Sequence, residues 1–175
     1  MNCKITLRAP EPDDVDRMYL WENLPGIWRH GSTQGPLSRH QIWEYVTTYD
    51  ANPLASGQLR LIVNAGGEAA GMVDLYDIDG VNRRAKVGIM IDEKHRGGTL
   101  ALEALRIIGE YASARLGLHQ LAAIVADDNE PSKKLFTSAG YKNTATLPEW
   151  LRRGDRFIPA LIFQKSVVLG IDRVV

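Results

Sequence analysis

The chain has 175 residues, 45% of them hydrophobic and 24% charged, which suits one soluble globular domain spanning residues 1–175. Lys plus Arg and Asp plus Glu both number 21, so no net field draws the chain to nucleic acid or to an anionic membrane. Cys3 has no second cysteine to pair with, no apolar run approaches the ~20 residues of a bilayer span, and no basic, apolar leader opens the chain, so the reading is cytoplasmic.

Cys3, Ile5 and Leu7 alternate with Lys4, Thr6 and Arg8, the period of a half-buried strand that would bury the cysteine. Pro10 to Asp14 then starts a helix whose acids favour its N-terminus. Residues 23–37 hold Pro25, Gly26, Gly31, Gly35 and Pro36 and read as a loop carrying Trp28, Arg29 and His30, a candidate substrate wall. Ser38 and Gln41 form a capping-box pattern ahead of Ile42, Tyr45, Val46 and Tyr49, which recur at helical spacing. Strand-like runs follow at 58–64, 69–77 and 83–91, broken by turn residues 65–68 and 79–82, and an antiparallel meander is the simplest arrangement.

From Thr99 to Leu116, Ala101, Leu105, Ile108 and Ala112 mark one helical face; Gly117 ends it and residues 119–126 return as a strand. Strand, helix, strand implies a parallel crossover. A short helix from Glu130, capped by Asn129 with Pro131 in its first turn, stops at Gly140. Residues 141–150 and 156–167 form a final strand pair turning around residues 152–155. The sum is one mixed α/β (α+β) sheet of six to seven strands with helices on its faces.

Residues 91–105 are the most informative stretch, because a β-branched strand runs through Lys94-His95-Arg96-Gly97-Gly98 straight into a helix. Loop amides, the first unpaired helix amides and the helix dipole converge there, and Arg96 adds a fixed positive charge. A phosphate or pyrophosphate fits such a place, although glycines before a helix are as often only a turn.

This stretch resembles the coenzyme A loop of the GCN5-related N-acetyltransferase (GNAT) superfamily, Arg/Gln-x-x-Gly-x-Gly/Ala, aligned here with Arg96-Gly97-Gly98-Thr99-Leu100-Ala101. Thr99 stands where the family usually has its middle glycine, and its hydroxyl is placed to bond a phosphate or cap the helix. Asp128 to Phe136, followed by Ala139-Gly140-Tyr141, resembles the family's second cofactor segment. Residues 73–79 and 83–91 resemble the strand pair before the cofactor loop in the spermidine-type and ribosomal-protein-type branches.

The resemblance implies a GNAT-like fold whose parallel strands splay apart around acetyl-CoA, with no metal. It implies that backbone groups of Ile89, Met90 and Ile91 bind pantetheine, the Met90 or Ile91 amide polarising the thioester carbonyl as an oxyanion donor does. Arg96, Gly97, Gly98, Thr99, Leu100 and Ala101 would hold the pyrophosphate, Asn129 and Ser132 would meet pantetheine with Phe136 beside them, and Lys134 or Lys133 would meet the 3′-phosphate. An acceptor amine of pKa ~10.4 must lose a proton before attack, and Asp74 and Asp77 are the candidate bases, with Asp74 first. Asp77 with Trp21, Glu22 and Trp28 would frame a cationic acceptor, although Trp21 suits a core better.

Many relatives carry a glutamate where this chain has Lys86, and a proton-donating tyrosine where it has Phe136. Tyr141 is a candidate substitute acid, and otherwise a core residue; His119 reads as a structural imidazole. The expected activity is acetyl transfer to a primary amine, a polyamine or other small amine favoured, with a protein N-terminus as the alternative. A coenzyme A-binding module without turnover is the competing class. The apolar tail Val167, Val168, Leu169, Ile171, Val174 and Val175 packs internally or supplies a homodimer contact.

Overall fold

Alternating runs separated by turn residues become seven strands: β1 (Ile5–Arg8), β2 (Leu59–Ala65), β3 (Glu68–Asp79), β4 (Arg84–Ile91), β5 (Gln120–Ala126), β6 (Lys142–Arg153) and β7 (Arg156–Ser166). The computed structural model, which describes residues 4–26 and 35–167, joins them in the order β1-β2-β3-β4-β5-β7-β6. Every neighbouring pair is antiparallel except β4 and β5. Cys3, Trp28, Arg29, His30 and the tail beyond Val167 lie outside the described residues.

The helices are α1 (Val15–Glu22), entered through a 3-10 turn at Pro12–Asp14, α2 (Arg39–Thr47), the single turn α3 (Pro53–Ser56), α4 (Leu100–Ala114) and α5 (Glu130–Ser138). The capping box at α2 forms as its sequence requires: the Gln41 amide donates to the Ser38 hydroxyl at 3.1 Å and the Ser38 amide to the Gln41 side chain at 2.8 Å. Asn23 closes the base of the loop between α1 and α2, its side chain bonding both the amide and the carbonyl of Leu37 at 2.9 Å.

Neighbouring strand residues point to opposite faces and so divide the core in two. On one face Val63, Val73, Leu75, Val87 and Leu121 meet Leu105 and Ile108 of α4 and Phe136 of α5. On the other, Ile62 and Met72 meet Val15, Met18 and Trp21 of α1 and Ile42 and Val46 of α2. Each large aliphatic side chain so buried contributes ~1.5–3 kcal/mol.

Two departures from the pattern have local causes. Pro53 starts the single turn α3, too short to give a periodic signal, and β6 runs three residues past Trp150 because a bulge lets it continue. In that bulge the register slips between Leu147 and Leu151, and Glu149 takes a φ of 50°.

What positions a site is the parting of β4 from β5. They pair only at Arg84 with Gln120, Ala85 with Leu121 and Lys86 with Ala122. Beyond these residues β4 runs to Ile91 and β5 to Ala126 without further pairing between them. A crevice therefore opens at the carboxyl ends of two parallel strands, where α4 begins, the place where open α/β sheets bind ligands.

Candidate active site

The loop from β4 to α4 fits an anion. Gly97 takes a φ of 84°, and a Cβ built on Gly97 or Gly98 meets no atom within 4 Å, so both backbones face open space. The first helical bond of α4 runs from the Glu103 amide to the Thr99 carbonyl at 2.9 Å. The amides of Leu100, Ala101 and Leu102 are thus the unpaired donors of a helix N-terminus. The Thr99 side chain makes no capping bond, which leaves its hydroxyl at the mouth. Leu100 instead buries its side chain, and Ala101 packs against the same core, so both offer a ligand only backbone. Arg96 bends back, its Nε donating to the Ile91 carbonyl at 2.9 Å, and thereby fixes a positive charge where strand becomes loop.

β4 presents main chain to the crevice through a close approach that the sequence reading did not single out. Gly71 of β3 lies opposite Ile91, and a Cβ there would sit 2.2 Å from the Met90 carbonyl oxygen. Only glycine allows β3 this near, and glycine inside a strand run is the signal that marks such a place. Ile91 is buried, while Ile89 and Met90 are half-buried, their side chains packed against the cores on opposite faces. Their backbone is what remains for a ligand.

Across the crevice, α5 is capped as expected: the Asn129 side-chain oxygen Oδ1 accepts the Ser132 backbone amide at 3.2 Å, which leaves the side-chain nitrogen Nδ2 to donate. Lys133 is engaged by the Asp127 carbonyl at 2.8 Å and by Glu130 at 2.6 Å, whereas Lys134 is exposed with no ionic partner among the described residues. Phe136, the residue expected beside the cofactor, is packed among aromatic side chains. Its ring is 5% exposed, 5.2 Å from Tyr141 and 6.3 Å from Phe163, so it serves the core. Tyr141 is also core: burial pushes its phenol above the ordinary tyrosine value, and its hydroxyl has no hydrogen-bond partner among the described residues. His119 is exposed and marks the start of β5 with its backbone, the amide donating to the Arg83 carbonyl.

The face carrying α1 and α2 holds the residues expected to meet an acceptor, arranged around one the sequence reading missed. Arg60 of β2 donates from Nε and from one terminal nitrogen to the two oxygens of Asp74, each at 2.8 Å, and from the other terminal nitrogen to Glu22 of α1. Asp74 is therefore no free base: taking a proton would cost it a bidentate pair. Burial alone would favour loss of the Arg60 proton, but Asp74 and Glu22 outweigh it and hold its pKa above the ordinary value. Burial also pushes the Tyr45 phenol, beside this pair, up to about 12. Tyr76 lies over Gly88 of β4, with burial raising its phenol too.

Asp77 and Trp21 are both engaged elsewhere. Asp77 is exposed at a bulge with a φ of 49°, paired at 2.7 Å to Lys86, so it lies beside the Arg60 group without joining it. Trp21 is 3% exposed and packs with Met18 and Met72, which removes its face from any acceptor. Its indole N–H donates at 2.9 Å to Asp92, the residue that caps the turn leading into the cofactor loop. Among the described residues no cluster of three or more His, Cys, Asp or Glu could hold a metal ion.

A glycine-rich helix N-terminus at the mouth of a parallel-strand crevice is the arrangement the first reading expected, and residues 4–142 match the family model described as an acetyltransferase (GNAT) domain. The chain belongs to the GNAT acetyltransferase family. It is 27% identical over 137 residues to the spermidine N(1)-acetyltransferase of Escherichia coli (strain K12), covering 78% of this chain and 72% of that one. A Bacillus subtilis (strain 168) protein provisionally named as a ribosomal N-acetyltransferase is 28% identical over 150 residues, covering 81% and 79%. The fold matches a crystal structure of the Vibrio cholerae spermidine N-acetyltransferase in complex with CoA and spermine, with a TM-score of 0.83, 22% identity and coverage of 93% and 95%. GNAT enzymes use acetyl-CoA, and the open glycine loop, free helix amides and Arg96 suit its pyrophosphate. No described helix is long and apolar enough to cross a membrane.

Proposed function

We propose that this GNAT enzyme transfers acetyl from acetyl-CoA to a primary amine, a polyamine or another small amine, by direct attack of the amine on the thioester. The observation that carries the reading is the parting of β4 from β5 beyond Lys86 and Ala122, at the foot of the glycine loop. Bound acetyl-CoA supplies an activated acyl group on a thiol leaving group. Main chain of Ile89, Met90 and Ile91 pairs with pantetheine, and the Met90 or Ile91 amide donates to the thioester oxygen as charge develops on it. Residues 96–101 hold the pyrophosphate through backbone and the Arg96 charge. The free Asn129 amide and Ser132 face pantetheine, and Lys134 meets the 3′-phosphate.

With Asp74 tied to Arg60, the amine gives up its proton to solvent at the open crevice. The rate then rises with pH toward the amine's own pKa. A thiolate of pKa ~8.5 leaves without a protein acid, which accommodates phenylalanine at position 136. The relative with the ribosomal name supports a second reading, in which the acceptor is the α-amine of a protein chain. Exposed Trp150 and Phe157 on the β6–β7 hairpin support self-association as a homodimer.

The test is thiol release from acetyl-CoA with polyamines, diamines, monoamines, amino sugars and short peptides, repeated with Asp74→Asn. One stimulating acceptor establishes transfer and its class. An Asp74→Asn variant that keeps the rising pH limb supports solvent as proton acceptor, and its loss returns that role to Asp74. Acetyl-CoA binding with no stimulated release by any amine would favour the module without turnover.

A further inference from the structure

Arg60 stands in register with Asp74 of β3, which stands in register with Gly88 of β4 where that strand has parted from β5. The row lies on the face shared with α1 and α2. The guanidinium is bonded to both oxygens of Asp74 and to Glu22, and its carbon lies 5.6 Å from the centre of the Tyr45 ring. Tyr49 fixes the same residue by its backbone, the hydroxyl donating to the Arg60 carbonyl at 3.2 Å and accepting the Arg60 amide at 3.3 Å. Two carboxylates and an aromatic face are the means by which proteins recognise organic ammonium groups.

We propose that Arg60 is a built-in cation occupying the site formed by Glu22, Asp74 and Tyr45, so that the acceptor face takes amines bearing one ammonium in preference to diamines and polyamines. This rests on the acetyl-transfer reading and divides its acceptor class. A second ammonium entering here must displace a guanidinium that is tethered to the sheet and bonded at three nitrogens. The tether keeps the arginine's effective concentration high, and a planar fork matches a carboxylate better than an ammonium does. A lone reacting ammonium needs no second anchor and meets none of these costs.

The test compares n-pentylamine with 1,5-diaminopentane, which match in length and differ in one ammonium, by kcat/KM for thiol release at neutral pH. Wild type is expected to favour the monoamine. Arg60→Gln shifts the ratio toward the diamine by about tenfold, the scale of one charge-assisted contact, while Arg60→Lys, which keeps the charge and loses the fork, falls between Arg60→Gln and wild type. A wild-type preference for the diamine, or an Arg60→Gln variant that changes both amines alike, overturns the proposal. Should Arg60→Gln not fold, the neutral pair Arg60→Gln with Asp74→Asn makes the same comparison without leaving two carboxylates together. If no amine releases thiol from wild type, the acceptor reading of the preceding subsection falls. Calorimetry of the diamine with the CoA-loaded proteins then decides the role of Arg60: tighter binding to Arg60→Gln upholds it, and equal binding removes it.

Discussion

The two walls of the crevice are built from different materials. On the side proposed for the cofactor the available groups are backbone: the open glycines 97 and 98, the first amides of α4 and the main chain at the end of β4. On the side proposed for the acceptor they are side chains, Glu22 from α1, Arg60 from β2, Asp74 from β3 and Tyr45 from α2, which meet only when the fold has assembled. A backbone site responds to a single added methyl group. A side-chain site responds to charge.

The sharpest way to break that contrast is Gly71→Ala. The new Cβ would lie 2.2 Å from the Met90 carbonyl oxygen and 3.0 Å from the Ile91 Cα, so β4 must move at the residues proposed to bind and polarise the thioester. A displacement on the order of 1 Å at a reacting centre costs about 100-fold in kcat/KM, and overpacking of this kind costs about 1–3 kcal/mol of stability. Thiol release and a denaturant melt measure both. A variant as active as wild type would show that the β4 main chain takes no part.

Gly98→Ala sharpens the same side with a smaller change. Its backbone is not left-handed and its Cβ would meet nothing within 4 Å, so the fold has no reason to respond. A phosphate approaching that backbone does have one. KM for acetyl-CoA is expected to rise about tenfold, the worth of one charge-assisted bond, with kcat and melting temperature unchanged. A melting point that falls while KM stays level would make the loop a structural turn only.

This division also explains what could be read in the residues beforehand. Glycine, Asn129 as a cap, and the Ser38–Gln41 box are local signals, because turn and cap chemistry acts within a few positions of the chain, and the elements they punctuate form where expected. Asp74 was visible as a carboxylate on a strand, but its neutralisation by Arg60 depends on a β2–β3 register that no local pattern announces. Trp21 carried an ambiguity that only packing resolves, since an indole beside an acid suits a core as well as a cation. Phe136 matched a family position whose side chain the fold turns inward. Gly71 did carry a signal, a glycine within an apolar strand, whose meaning needed the neighbouring strand to be in place.

Helix α1 joins the two walls, and Trp21→Phe tests the joint. Trp21 donates to Asp92 while its neighbour Glu22 holds Arg60, so one turn of helix touches both the cofactor loop and the acceptor group. The indole bond holds the Asp92 carboxyl below its ordinary pKa, and without it the cap of the turn relies on the Lys94 amide at 3.3 Å. Losing a bond to a charged group is expected to cost about 1–2 kcal/mol and to raise KM for acetyl-CoA about threefold, with acceptor KM nearly level. Equal changes in both constants would mean that the whole helix had shifted, and that the walls are less separable than their construction suggests.

The smallest effect comes from Glu68, where β3 meets both α1 and the cofactor turn. Bonds from Lys94 and then from Arg17 hold its carboxyl at about 2, below an ordinary glutamate. A carboxyl lowered on folding stabilises the native state above its unfolded pKa of ~4.3, and that contribution is lost as pH falls toward the folded value. The group is exposed, so salt screens it and the contribution is modest. Comparing melting temperatures of wild type and Glu68→Gln should give a gap of a degree or so above pH 5 that closes toward pH 2 and shrinks at high salt. Because Lys94 lies in the cofactor turn, the same titration should raise KM for acetyl-CoA before it lowers acceptor binding. A gap that is constant across this range would place the stabilisation in the packing of the glutamate stem, and the charge would then play no part in holding the turn against α1.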